Sequence, residues 1–391
     1  MARRPRWRLG YVIPRLLAVV CLVDMGLRFM STDPLTFRAW EAMARYRPSG
    51  MAFEPNRRYY NARSYGELAA LGNLPELRHY RSERFTTDAL GFRNAPHVLD
   101  EEVGAILVGD SFAVGSGVSD DDTLSSRLGT LMGCVVYNAG SDANMVVPDE
   151  ILALAGRLNL RSRVVIRLYT EGAPVPAIPT GQRMVWRKLV ARTPAGVRTV
   201  VGRLRGLLTV SPLQGLSGRA WKALNNDRIL PNSYASNVVK ATLNNGDTML
   251  FPSSQVNSFY HPHELSLDYW EWLRGDLKKA GFDLVVILVP GKYRVYRPFL
   301  VDQRPVGTWT GNDLNRLERA LRAMEVPVLN LTPFLSNEAA RHLERGEYLY
   351  LLDDNHWNAR GVALSAAAIR EQWPLTEAAC SSPRSPVPQK P

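Results

Sequence analysis

The sequence predicts an α/β fold, a parallel sheet covered on both faces by helices, and three observations carry that prediction. From Val103 onward, apolar runs of strand length alternate with periodic runs of helix length. The first of them, Ala105-Ile-Leu-Val108, ends in Gly109-Asp110-Ser111 and a glycine-bearing turn, which reads as a buried strand opening toward a helix. Finally, a chain of 391 residues that is 46% hydrophobic and 22% charged has the composition of a folded protein large enough for a sizeable core.

Taken in order, residues 1–30 pair Arg3, Arg4, Arg6 and Arg8 with the apolar run Leu16–Val23, the layout of a signal sequence. The stretch from Leu9 to Met30 is about long enough to span a bilayer, although Pro14, Arg15, Asp24 and Arg28 interrupt it. The expectation is an uncleaved single-pass anchor in the cytoplasmic membrane, a transmembrane helix with its arginines inside and the rest on the periplasmic side. A cleaved signal and an ordinary helix remain open.

Residues 31–100 form a lead-in rich in Arg and Tyr, in which Thr87–Asn94 reads as a turn cornered by Gly91. Residues 101–172 hold the first half of the α/β domain: strand Val103–Val108, helix Thr123–Met132, strand and turn Val135–Gly140, helix Pro148–Leu158 and strand Arg163–Tyr169. Residues 173–258 read as a basic helical insert. No acid falls between Glu171 and Asp227, and Val197, Val200, Val201, Leu204, Leu207 and Leu208 recur at helical spacing among Arg198, Arg203 and Arg205. Such a helix lies on an anionic membrane, packs with a solvated basic face, or grips an acidic polysaccharide. Residues 259–373 supply the second half: helix Leu265–Ala280, strand Asp283–Val289, helix Asn312–Met324, strand Val326–Leu331 and helix Ala359–Trp373. The tail, 374–391, carries Ser381-Ser-Pro-Arg-Ser-Pro386 and is expected to be disordered.

Net charge is +11, but no nucleic-acid motif accompanies the basic clusters, so nucleic acid is not an expected partner. Cys21, Cys134 and Cys380 are odd in number and widely spaced, giving neither a disulfide framework nor a metal pattern. His261-Pro-His263 has no supporting carboxylate or cysteine cluster, and no metal or cofactor is expected.

The chemistry concentrates in two blocks. Ser111, on the turn after a buried strand, would present its hydroxyl at the carboxyl edge of the sheet, where open α/β folds bind ligands. His356 sits in a loop before a helix, in Leu352-Asp-Asp-Asn-His-Trp-Asn-Ala-Arg-Gly361. A serine needs a base within hydrogen-bond reach, and the base needs an orienting acid; His356 with Asp354 or Asp353 supplies both.

Gly109-Asp110-Ser111-Phe112 resembles the first block of the SGNH (GDSL-type) hydrolase superfamily, and Asp354-Asn-His-Trp-Asn358 with Gly361 resembles its last. The His-Trp-Asn form is most similar to the branch of the alginate O-acetyltransferases and other polysaccharide acetylation proteins. The resemblance implies a flavodoxin-like three-layer α/β/α sandwich and a Ser-His-Asp triad. It selects Asp354, from the Asp-x-His spacing of that branch, over Asp353, from the Asp-x-x-His spacing of the wider superfamily. It implies backbone oxyanion donors at Ser111 and Gly140. The superfamily's third donor, an asparagine after the next strand, has no counterpart in Tyr169-Thr-Glu-Gly172, and Asn144 or Thr170 are the alternatives. Val289–Tyr296 also resembles a segment of the acetylation branch. Lys292 and Tyr293 are expected at the carboxyl edge of the sheet, either meeting a sugar hydroxyl or carboxylate or forming a loop with snorkelling charge, and Asn144 and Trp357 are also expected to bind substrate. In the alginate acetyltransferases the Asp-x-His pair precedes the serine; here the serine comes first.

The expected function is movement of an acetyl group to or from a cell-surface or exported polysaccharide through an acyl-serine, with a membrane acyl-passing protein as a further partner. The alternatives are a catalytically silent, membrane-anchored polysaccharide binding or assembly component and an esterase of small esters.

Overall fold

In the computed structural model, the structure describes residues 9–30, 33–45, 47, 51–141, 146–176, 178, 197, 200–202, 204, 205, 208, 211–225, 237–260, 266–303 and 313–372. The tail at 374–391, Asn144 and the His261-Pro-His263 pair lie outside these residues.

Nine strands are described: β1 (Arg58–Ser64), β2 (Arg81–Thr86), β3 (Val103–Val108), β4 (Val135–Asn138), β5 (Val164–Thr170), β6 (Val238–Thr242), β7 (Thr248–Pro252), β8 (Asp283–Val289) and β9 (Val328–Asn330). Five form the central parallel sheet in the order β4-β3-β5-β8-β9. Numbered within the sheet alone, that order is 2-1-3-4-5, the doubly wound arrangement of flavodoxin-like folds. Along β8, Val285, Ile287 and Val289 enter one core while Leu284, Val286 and Leu288 enter the other. Both faces are thus buried, which is why the strand reads as a continuous apolar run. Helices Leu124–Met132, Thr332–Leu343 and Ala359–Gln372 cover the first face; Pro148–Ala155, Asp268–Lys279 and Asp313–Ala323 cover the second.

The elements outside this frame matter for the site. The lead-in is not a separate piece: β1 and β2 pair antiparallel, and Phe53, Phe85, Tyr59 and Ala39 share a core with Val114 of the serine turn. The basic insert, expected as helical, also contains the antiparallel pair β6–β7 and the helix Ser253–Tyr260. Leu243, Met249, Phe251 and Val256 of these segments join the core of the first face.

Near the N-terminus, helix Leu9–Leu27 contains Pro14. The Asp24 carboxylate accepts hydrogen bonds from the Ser211 hydroxyl at 2.7 Å and the Leu213 N–H at 3.2 Å, capping helix Pro212–Leu224. Among the described residues no helix is long and apolar enough to cross a membrane. Although the cysteine spacing gives no disulfide framework, Cys134 is disulfide-bonded, whereas Cys21 is free and exposed.

Candidate active site

Ser111 opens a short helix, Ser111–Val114, directly after β3. Asp110 caps it: its carboxylate accepts from Phe112 N–H at 3.0 Å and from the Thr170 hydroxyl at 3.2 Å. The turn ends at Gly115 with φ of 85°, the left-handed region in which glycine carries no penalty. Arg93, 3% exposed, braces this turn from the lead-in, donating to the carbonyls of Gly115 at 2.6 Å and Val118 at 2.7 Å. Asp88, also buried, accepts from Tyr137 O–H at 2.6 Å and from Asn94. The Thr87–Asn94 turn therefore builds the support of the serine, with neither Asp88 nor Arg93 at the site.

His356 comes to the serine from 245 positions away, its Nε2 lying 2.7 Å from Ser111 Oγ. Its Nδ1 lies 2.6 Å from Asp354 Oδ1, which also accepts the His356 backbone N–H at 3.1 Å. Burial alone would depress the imidazolium, but the Asp354 carboxylate more than offsets it, so the His356 pKa is raised above its ordinary value. Burial likewise opposes ionisation of Asp354, yet His356, with Arg38 and Arg81 beyond it, holds that carboxyl well below the usual range. The other Asp354 oxygen accepts the Glu67 backbone N–H at 2.9 Å.

Asp353 points elsewhere. Its carboxylate accepts from Gly66 N–H at 2.6 Å, His79 N–H at 3.0 Å and Arg81 at 3.0 Å. The choice between the two acids is thus made by geometry: Asp354 faces the imidazole, and Asp353 fastens the loop to the lead-in. Asn358 caps the following helix through Gly361 N–H at 3.0 Å. Gly361 is required there, since a Cβ would meet the Leu349 carbonyl at 2.2 Å.

Three expected site residues are corrected. Lys292 is fully buried, and its ammonium donates to the carbonyls of Leu250, Leu351, Leu352 and Asp354 at 2.6, 2.6, 3.2 and 2.9 Å, so it ties β7 to the His356 loop instead of meeting substrate. Trp357 is fully buried against Phe112, with ring centroids 5.4 Å apart. Tyr293 is 4% exposed, and its hydroxyl pairs with that of Tyr260 at 3.0 Å. Sequence cannot tell a side chain turned into the core from one turned outward.

The oxyanion reading is also altered. Ser111 N–H, at the first position of its helix, has no intrahelical acceptor. Gly140 N–H, however, donates to Asn138 Oδ1 at 2.9 Å and is already committed. Thr170 lines the cleft, and its hydroxyl donates to Asp110.

The cleft above Ser111 has a volume of about 270 Å³ and is walled by Thr170, Glu171, Gln255, Ser258 and Asn355. It opens beyond the carboxyl ends of β3 and β5, the two strands between which the winding reverses, where ligands of such sheets bind. Gln255 and Asn355 were not found from sequence; Asn355 is the variable position of Asp-x-His, and Gln255 falls in the insert. Glu67, Asp354 and His356 offer ligand atoms within 4.8 Å of one another. Each is engaged: Glu67 by Arg38 at 2.6 Å, Asp354 by His356, and His356 by Ser111.

A serine hydroxyl, an imidazole and a buried carboxylate in hydrogen-bonded series at the edge of a doubly wound sheet define a constellation suited to acyl transfer. Residues 253–388 match the family model of an SGNH hydrolase-like domain, acetyltransferase AlgX, in agreement with the branch read from the His356 block. That span includes His356 and Asp354 and begins after Ser111. No curated protein matches the chain.

Proposed function

We propose that the protein is a serine O-acyltransferase or esterase that moves an acetyl group to or from a polysaccharide through an acyl-serine intermediate. The observation that carries this reading is the unbroken series from Ser111 Oγ through His356 to Asp354. In it Ser111 attacks the acyl carbonyl, His356 takes the serine proton and returns it to the departing oxygen, and Asp354 fixes the imidazole tautomer and stabilises the imidazolium. The donor's C–O bond breaks as the acyl–serine bond forms; a sugar hydroxyl or water then gives its proton to His356 and releases the serine.

The glycan substrate draws support from the acetyltransferase family of residues 253–388. An extracytoplasmic setting, with attachment to the cytoplasmic membrane through the N-terminal segment, is part of the proposal. It rests on the arginines that precede an apolar helix and on the disulfide at Cys134, a bond that persists in oxidising compartments. An acyl-passing membrane partner would then deliver the donor.

The rival reading, a silent polysaccharide-binding component, draws on one observation, the commitment of Gly140 N–H to Asn138. Wild type and Ser111→Ala, given a chromogenic acetyl ester and followed by mass spectrometry, decide between them. Acetylation of Ser111 with turnover that vanishes in the variant is expected. Absence of both adduct and turnover in wild type would favour the silent component.

A further inference from the structure

We infer that Asn355 and Gln255 form the acceptor side of the cleft, binding the hydroxyl-bearing sugar that receives the acyl group. This inference rests on the acyl-serine reading and specifies its second half-reaction. The polarity of the pair is fixed from the backbone outward. The N–H of Tyr293 can only donate, and it donates to Gln255 Oε1 at 3.3 Å. The Gln255 amide is therefore turned so that Nε2 faces away, and Nε2 donates to Asn355 Oδ1 at 2.7 Å. With its oxygen so occupied, Asn355 has its NH2 group left to present, and both residues line the cleft with Ser111. Gly291 makes room for the arrangement: a Cβ there would come within 3.2 Å of Gln255 Cδ.

The position selects a role. Besides Ser111 Oγ, two substrate oxygens must exchange a proton with His356, the leaving oxygen of the donor ester and the incoming hydroxyl of the acceptor; the carbonyl oxygen need not. Asn355 precedes His356 in the chain and lines the cleft with Ser111, which His356 Nε2 meets at 2.7 Å, so an amide donor there meets groups next to the incoming hydroxyl. A neighbouring sugar hydroxyl accepts from the Asn355 NH2, and Ser254 and Ser258 also line the cleft. Water carries no second hydroxyl for the pair to hold while its own O–H faces the imidazole, so the pair favours the sugar. In the second half-reaction the acceptor O–H bond breaks toward His356 Nε2, the new ester C–O bond forms, and the acyl–serine C–O bond breaks with return of that proton to Ser111 Oγ. Asn355 and Gln255 thus act on the partition between transfer and hydrolysis.

Asn355→Ala removes the donor. Gln255→Glu keeps an acceptor for Tyr293 N–H but can only accept from Asn355, so it turns the Asn355 carbonyl toward the cleft. The test uses the full chain, p-nitrophenyl acetate as donor, and mannotetraose, cellotetraose and tetramannuronate together as acceptors. It measures the acyl-serine burst, acetylated sugar and free acetate, with thermal unfolding as a check on folding. The expected result is a wild type that acetylates sugar and two variants whose ratio of transfer to hydrolysis falls by roughly tenfold or more. A ratio that stays constant, with both products falling together, overturns the acceptor role. A wild type that shows the burst and releases acetate but acetylates no sugar overturns it as well and leaves an esterase. A wild type without a burst sinks the underlying acyl-serine reading, a distinct outcome read before any variant is compared.

Discussion

Arg81 Nη1 lies 3.0 Å from Asp353 Oδ1, an ion pair that joins β2 of the lead-in to the His356 loop across 272 positions of sequence. Asp353 is wholly buried and also accepts the N–H groups of Gly66 and His79. Asp353→Ala would leave the Gly66 and His79 N–H groups without their acceptor, while the part-exposed Arg81 guanidinium keeps the carbonyls of Gly117 and His79. Each buried donor left without a partner costs about 1–3 kcal/mol. Denaturant unfolding should place the variant's midpoint well below that of wild type; a loss under about 1 kcal/mol would mean that other contacts hold the loop.

The same loop is also held by Lys292. Burial pushes its ammonium down to about 7, while the charges of Asp354 and Asp353 pull it upward. Its four carbonyl partners come from β7 and from the stretch 351–354, so the side chain acts as a rivet between them. Lys292→Met keeps the length of the stem but orphans those carbonyls. The expected cost is about 2–4 kcal/mol, with a fall in esterase activity that follows from the displaced His356 loop. Unchanged thermal stability would refute the riveting role.

Backbone proximity makes a third point of attachment. The helix Glu67–Leu71 presents its first N–H groups to the acidic loop, Gly66 and Ala69 to Asp353 and Glu67 to Asp354. The approach is so close that a Cβ on Gly66 would lie 2.0 Å from the Asp353 carbonyl oxygen, a rigid backbone atom. Gly66→Ala is therefore expected to lower the thermal midpoint by more than any change of backbone propensity would, on the order of 3 kcal/mol or more. Since Gly66 has φ of −73°, an ordinary value, a small loss would mean that the loop simply shifts aside.

These three attachments mark the limit of what the sequence discloses. The strand Val103–Val108, its glycine turn and the capped helix after Asn358 are local patterns, and each is legible because periodicity and turn chemistry act over a few residues. Strand Asp283–Val289 matches the expected bounds for the same reason. The pairing of β1 with β2 is not legible in sequence because its buried positions, Tyr59, Ser64, Glu83 and Phe85, mix polar with apolar and leave no apolar alternation. The burial of Lys292 is not legible in sequence because a buried lysine is rare and its partners are carbonyls, which every residue has. Asn355 and Gln255 escaped notice because their pairing spans 100 positions and neither belongs to a recurring block.

The last prediction concerns acidity, and it bears on the proposed mechanism most directly. His356 must be neutral to take the Ser111 proton, and its folded pKa is raised by the Asp354 carboxylate against the effect of burial. The acid limb of kcat/KM should therefore fall above about 6.5, the ordinary imidazole value. Asp354→Asn removes the raising charge and leaves burial in control, so the limb should move to lower pH. At the same time kcat should drop by roughly 10⁴-fold, because an amide no longer holds the imidazole tautomer. Stability follows the same pair. His356 binds its proton more tightly when folded, so its contribution is fully present below about 6.5 and is lost as the pH rises through the raised value. Asp354, depressed when folded, contributes above about 3.9 and loses that contribution as the pH falls through its lowered value. Wild type should accordingly lose unfolding free energy toward both extremes relative to Asp354→Asn. Parallel stability profiles for the two proteins across pH 3 to 9 would show that the His356–Asp354 pair does not carry the charge that the mechanism requires of it.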